Sequence, residues 1–361
     1  MNSKKEAYFT RHLLQWNERE NERQMPWKGE KDPYKIWLSE IILQQTRVDQ
    51  GLAYYNRFVK NYPTIKKLAA APETAVFKLW EGLGYYSRCK NLIATAKFIA
   101  NNLNGKFPDT YDDILKLKGI GPYTASAIAS FAYNLPYAVV DGNVMRVLSR
   151  YFGISTAIDS TEGKNYFTAL ANKLIDKKVP ALYNQAIMDH GATVCKPQLP
   201  LCTTCLLQKQ CVAFKNDEVR QLPVKEGKLI KKNRWFYFII AEYKGGFFIR
   251  KRTGKDIWQN LHEFILIENE KAIDPVTLMS SEAFKKIAGK KHTVISISKN
   301  YKQQLTHQTI HGCFIHIRVG QKPLLKDHEL VEGSKLKQLA FPALINSYFA
   351  TEGRALTVQN L

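Results

Sequence analysis

Leu117-Lys118-Gly119-Ile120-Gly121-Pro122-Tyr123-Thr124-Ala125 sets two glycines one residue apart between stretches of helical spacing. Glycine allows the tight backbone turn that such a hairpin requires. It also leaves amide N–H groups uncovered where the next helix begins, at the positive end of that helix's dipole. A phosphate oxygen suits such a place, so Gly119 and Gly121 are candidate DNA-backbone donors. On their own these nine residues fit a plain helix–helix turn equally well.

The composition favours the nucleic-acid reading. Fifty-three basic residues oppose 32 acidic ones in a chain of 361, a net charge of +21. The excess is shared by both halves of the chain, as expected of a protein that clasps a duplex from two sides; the competing reading is a merely solvated basic surface. No run of eighteen apolar residues is present, which excludes a membrane-spanning helix. The N-terminal Met1-Asn2-Ser3-Lys4-Lys5-Glu6 lacks the apolar core of a secretion signal, so a cytoplasmic, nucleoid-associated monomer is expected.

The length implies two or perhaps three domains. Up to about residue 220, apolar residues recur at three and four, as in Ile36, Trp37, Ile41 and Val48 or Leu92, Ile93, Ala96 and Ile99. The run Gln221–Lys228, followed by Lys231-Lys232-Asn233-Arg234, is polar, basic and broken by Pro223 and Gly227. Beyond it Trp235–Ala241 is aromatic and β-branched, Gly245-Gly246 signals a hairpin, and Phe247-Phe248-Ile249 resumes a strand. The expected organisation is an all-helical domain over 1–221, a linker over 222–232 and an α+β domain over 233–361.

Two carboxylic acids stand out. Glu40 has Ile36, Trp37, Leu43 and Gln44 as its neighbours at three and four residues. Burial on that face raises a carboxyl pKa and keeps it protonated, as a general acid requires. Asp141 follows Val139-Val140 and opens a helical stretch, where the dipole favours the ionised form. Two carboxyls driven in opposite directions are the arrangement that cleaves glycosidic bonds. The bland alternatives are a paired or snorkelling Glu40 and a structural N-cap at Asp141.

Cys195, Cys202, Cys205 and Cys211 follow the spacing C-x6-C-x2-C-x5-C. Four thiols within seventeen residues have metal-ligand spacing rather than disulfide spacing. One knuckle with two single outriders favours an iron–sulfur cluster over a zinc ribbon, with zinc the alternative. Cys89 and Cys313 stand apart as core cysteines.

These segments together resemble one family. Pro33–Val48, Trp80–Arg88, Leu117–Ala125, Val140–Val144 and the four cysteines are similar, in order, to the endonuclease III superfamily of DNA repair glycosylases, specifically its adenine DNA glycosylase branch. The resemblance implies a helix-hairpin-helix fold whose 195–211 loop holds a [4Fe-4S] cluster on the four cysteines. It implies removal of adenine paired with 8-oxoguanine or guanine in double-stranded DNA, from an extrahelical position. Glu40 would protonate adenine and Asp141 would stabilise the oxocarbenium ion, with Tyr123 and Asn143 assisting. Leu43, Gln45 and Tyr85 match positions that wedge into the base stack, with Thr46 beside them as a further DNA contact. Strand-cutting relatives carry lysine where this chain has Tyr123, so base removal without lyase action is expected.

The second domain resembles the Nudix-like domain of the same branch, through Phe248–Arg252 and Ile257–Phe264. No glutamate-rich metal box follows in 265–300, which argues against nucleotide hydrolysis. Leu305-Thr306-His307 matches the family's lesion-contacting Phe-Ser-His turn but lacks its aromatic, so Thr306 and His307 are candidate lesion contacts, or else a plain polar turn. The competing functions are a pyrimidine-lesion glycosylase on the same scaffold, which Glu40 argues against, and a non-catalytic lesion sensor, whose mark would be loss of Glu40 or Asp141.

Overall fold

The computed structural model describes residues 3–227 and 231–357. Residues 228–230 of the expected linker lie outside the described residues. By internal packing the chain divides into two units, Met1–Ala70 with Asn91–Lys228, and Ala71–Lys90 with Leu229–Leu361.

Ahead of the first strand run α1 Ser3–Arg19, α2 Pro33–Leu43, α3 Val48–Asn61, α4 Ile65–Ala70, α5 Glu73–Trp80, α6 Tyr86–Asn102, α7 Tyr111–Leu115, α8 Pro122–Tyr133, α9 Gly142–Phe152, α10 Thr161–Leu174, α11 Pro180–Thr193 and α12 Val212–Lys215, and shorter helices follow among and after the strands. Local chemistry sets the ends that matter. Asp32 caps α2 by accepting from the Tyr34 N–H, with Pro33 at the first helical position. Asp141 caps α9 in the same manner through the Val144 N–H, and Gly153 closes that helix in left-handed backbone.

In the first unit α2 packs on α8, and α11 packs on both α1 and α9. Phe9, Leu13 and Trp16 meet Val147, Leu148, Phe167 and Ile187 in its core, and Cys195, Cys205 and Cys211 pack against that core. Burying each large apolar side chain of this kind contributes roughly 1.5–3 kcal/mol. Gly191 lets α11 approach the start of α9, because a Cβ there would lie 2.8 Å from that of Asn143.

The second unit is a mixed sheet of β1 Lys232–Tyr243, β2 Gly246–Lys251, β3 His262–Glu263, β4 Ile265–Asn269, β5 His292–Ile297, β6 Tyr301–Gln304, β7 Gln308–Val319 and β8 Glu329–Glu332. Strands run β3-β2-β1-β7-β5, with β4 on β1, β6 on β7 and β8 on β2. β1 and β7 are parallel from Lys232↔Gln308 to Glu242↔Arg318. The β1–β2 turn is Lys244-Gly245, one residue earlier than the expected Gly245-Gly246, because both turn residues have positive φ and Gly246 already pairs with Tyr243. Residues 71–90 pack with this unit. Lys78 Nζ donates to the Leu339 carbonyl at 2.9 Å, and Glu81 accepts from the Phe341 N–H at 2.7 Å. No helix among the described residues is long and apolar enough to cross a membrane.

Candidate active site and cysteine loop

A cavity of about 890 Å³ in the first unit is lined by Glu40, Tyr123, Asp141 and Asn143. Glu40 reaches it from α2, Tyr123 from the second position of α8, and Asp141 and Asn143 from the start of α9. Residues 101 apart in sequence thus face one space. Leu43, Gln45 and Thr46 line the same cavity from the end of α2 onward.

Burial pushes the Glu40 carboxyl up to about 7, helped by the Asp141 charge and opposed by a hydrogen bond with the Tyr123 side chain. Burial also holds the Tyr123 phenol well above its ordinary value. Asp141 departs from expectation. Its pKa is raised by burial, not lowered by the helix start, against opposing hydrogen bonds from Val144 and Asn143 and the nearby Arg146 charge. The two carboxyls are therefore shifted in the same direction. The Asp141 charge is itself one cause of the Glu40 rise.

Asp141 is both a cap and a cavity residue. Oδ1 accepts from the Val144 N–H at 2.8 Å, and Oδ2 accepts from Asn143 Nδ2 at 2.7 Å. Asn143 Oδ1 in turn accepts from Arg146 at 2.8 Å, and Arg146 also donates to the carbonyls of Gly191 and Cys195. Arg146 escaped the sequence reading. Its signal was a cation three residues after Asn143 on a helix face shared with buried apolar side chains. Lys28 also lines the cavity, and its Nζ lies 3.3 Å from buried Asp189, which Arg23 pairs at 2.7 Å.

The glycine hairpin lies between α7 and α8, away from the cavity lining. Gly119 has φ +77°, and a Cβ there would lie 2.6 Å from that of Asn91, so glycine is required. Gly121 caps α8 in extended backbone with φ −98° and open space around it. Both glycines are exposed.

In the second unit Leu305-Thr306-His307 forms the turn between β6 and β7, and the His307 carbonyl accepts from Lys232 N–H at 3.0 Å. Tyr85 belongs to the same unit, and its hydroxyl hydrogen-bonds Thr306 Oγ1. Gln45 and Tyr85 both hold left-handed backbone, φ 53° and 47°. Such positions cost about 1–3 kcal/mol in non-glycine residues and gather at functional sites.

Cys195, Cys202, Cys205 and Cys211 line one small cavity beside Arg150. Arg150 Nη1 lies 3.5 Å from Cys195 Sγ, and His190 Nε2 lies 3.5 Å from Cys205 Sγ. Among the described residues no three His, Cys, Asp or Glu side chains are placed as ligands to a single ion. A four-thiol set with the Arg150 guanidinium donating at one sulfur and the His190 ring beside another fits an iron–sulfur cluster.

Comparison with known proteins agrees with this architecture. The HhH-GPD superfamily of base excision DNA repair proteins matches residues 38–173, and the NUDIX domain matches residues 236–351. An adenine DNA glycosylase of Buchnera aphidicola subsp. Baizongia pistaciae is 35% identical over 309 residues, covering 84% of either chain. A thermostable thymine-DNA glycosylase is similar at a TM-score of 0.55 and 28% identity, over 59% of this chain and 98% of that one. Endonuclease III trapped covalently on DNA matches at a TM-score of 0.52 and 20% identity, over 60% and 99%, which bears on the fold alone. Fold and site define a helix-hairpin-helix DNA glycosylase of base excision repair carrying a C-terminal Nudix-like domain. Within that class the chain belongs to the adenine DNA glycosylases, hydrolases of the N-glycosyl bond.

Proposed function

We propose that the chain removes adenine paired with 8-oxoguanine, or with guanine, from double-stranded DNA and leaves the strand uncut. The observation that carries this reading is the buried Glu40, hydrogen-bonded to Tyr123 in a cavity shared with Asp141. A carboxyl near pKa 7 is half protonated at neutral pH and is suited to general acid catalysis. With adenine flipped into the cavity, Glu40 gives its proton to N7, which makes the base a neutral leaving group. Positive charge then grows on the sugar, and the Asp141 carboxylate, oriented by Val144 N–H and Asn143, stabilises it. Water adds to the sugar and an abasic site results. Tyr123 has no amine, so no Schiff base forms and the backbone stays intact.

Leu43, Gln45, Thr46 and Tyr85 hold the opened stack in this reading, and Gly119 and Gly121 offer amides to a phosphate. Thr306 and His307 contact the 8-oxoguanine. The contact of Tyr85 with Thr306 supports a joint role, since it pairs two residues singled out from different motifs. Cys195, Cys202, Cys205 and Cys211 would hold a [4Fe-4S] cluster, which when bound offers one-electron chemistry and a covalent clasp for the loop. Zinc would require four donors converging on one point. We also propose sequence domains over 1–221 and 233–361 joined by 222–232, with residues 71–90 of the first packing with the unit of the second. Each family match falls inside one of them.

The test is single-turnover incubation with an end-labelled duplex holding one adenine opposite 8-oxoguanine, with and without hot alkali. Cleavage at adenine only after alkali is the expected result. Cleavage without alkali overturns the monofunctional reading, and none in either arm, with binding intact, overturns catalysis on this pair.

A further inference from the structure

His190 touches two of the four cysteines at once. Its backbone carbonyl accepts from the Cys195 N–H at 2.8 Å, and its ring Nε2 lies 3.5 Å from Cys205 Sγ. The ring is buried, and Trp16, itself buried, meets it edge-on at 4.9 Å between centroids. On the next position Gly191 holds α11 against Asn143, and on the preceding one Asp189 is clamped by Arg23. The imidazole therefore has little freedom to turn.

We propose that His190 is a positioning residue for the iron–sulfur cluster, donating a hydrogen bond from Nε2–H to the Cys205 sulfur. This rests on the reading of the four thiols as cluster ligands. A cluster-bound thiolate has no hydrogen to give, so Nε2 must be the donor whether or not Nδ1 is protonated. Among the described residues Nδ1 has no hydrogen-bond partner. No other contact there then selects the tautomer, and the sulfur does.

An N–H···S bond withdraws electron density from the thiolate and stabilises the more reduced, more negative cluster. Hydrogen bonds of this kind are one of the levers that set cluster potentials. His190 accordingly makes the cluster harder to oxidise and, through Cys195 and Cys205, fastens the loop to α11.

Iron and sulfide analysis of the purified full-length protein comes first. Absence of both would sink the cluster reading and this proposal with it. Wild-type protein labelled with ¹⁵N-histidine is then oxidised with ferricyanide and read by pulsed EPR. The expected result is a resolved ¹⁵N coupling to the paramagnetic cluster, and its absence from an EPR-active sample overturns the hydrogen bond. In parallel, DNA-electrode voltammetry compares wild type with His190→Leu and His190→Gln. The potential should move negative in the leucine variant and recover in part in the glutamine variant, which retains an N–H. A cluster-loaded His190→Leu with an unmoved potential is equally fatal to the idea. Should that variant not fold, the labelling experiment on the wild type decides alone.

Discussion

The phenol of Tyr123 donates a hydrogen bond to the carboxyl of Glu40, although one side chain comes from α8 and the other from α2. This contact opposes the rise that burial imposes on Glu40. The acid is thus tuned from two sides: desolvation pushes its pKa up, and Tyr123 restrains it.

Replacing Glu40 by glutamine keeps the shape and removes the transferable proton. Single-turnover excision should fall by roughly 10²–10⁴-fold, the usual contribution of a general acid. Gel-shift affinity for the mismatched duplex should remain within a few fold. A variant releasing adenine at the wild-type rate would refute the acid assignment.

The pH profile follows from the same residue. The reactive form is protonated Glu40, so excision should decline as pH rises through about 7. Tyr123→Phe removes the contact that lowers the Glu40 pKa, and its alkaline limb should shift upward. Identical limbs in the two proteins would show that this bond does not tune the acid.

Stability should move with the same titration. The Glu40 folded-state pKa of about 7 lies above its ordinary 4.5. Its favourable contribution is therefore complete below the unfolded value and is lost as pH rises toward 7. Thermal melts at pH 5 and pH 8 should show Glu40→Gln gaining Tm relative to wild type at the higher pH. Equal differences at both would contradict the burial argument.

The two hairpin glycines should respond unequally. Gly119→Ala meets Asn91 and a φ of +77°, and should cost about 1–3 kcal/mol along with duplex affinity. Gly121→Ala has ordinary backbone and open space, so its stability should change little. Chemical denaturation and fluorescence anisotropy on an undamaged duplex would check both.

Tyr85 and Thr306 should act as a pair. Tyr85→Phe and Thr306→Val each remove one side of their hydrogen bond and should lower the preference for 8-oxoguanine over guanine. The double variant should lose less than the sum, because both single changes break the same contact. Strict additivity would mean that the two hydroxyls serve the lesion separately.

Much of this protein is legible in its sequence because the signals are local. The Gly119–Gly121 turn, the Asp141 cap, the strand texture after Trp235 and the cysteine spacing each depend on neighbours within a few residues, where backbone sterics and short hydrogen bonds decide. Tertiary structure decided the rest. It brought Glu40 beside Tyr123 and Asp141, packed residues 71–90 with the sheet, joined Tyr85 to Thr306, and recruited Arg146 and His190 beside the cysteine loop. The direction of the Asp141 shift belongs here too. A helix start favours the carboxylate locally, but desolvation depends on every element that closes over the site, and over Asp141 burial outweighs the cap.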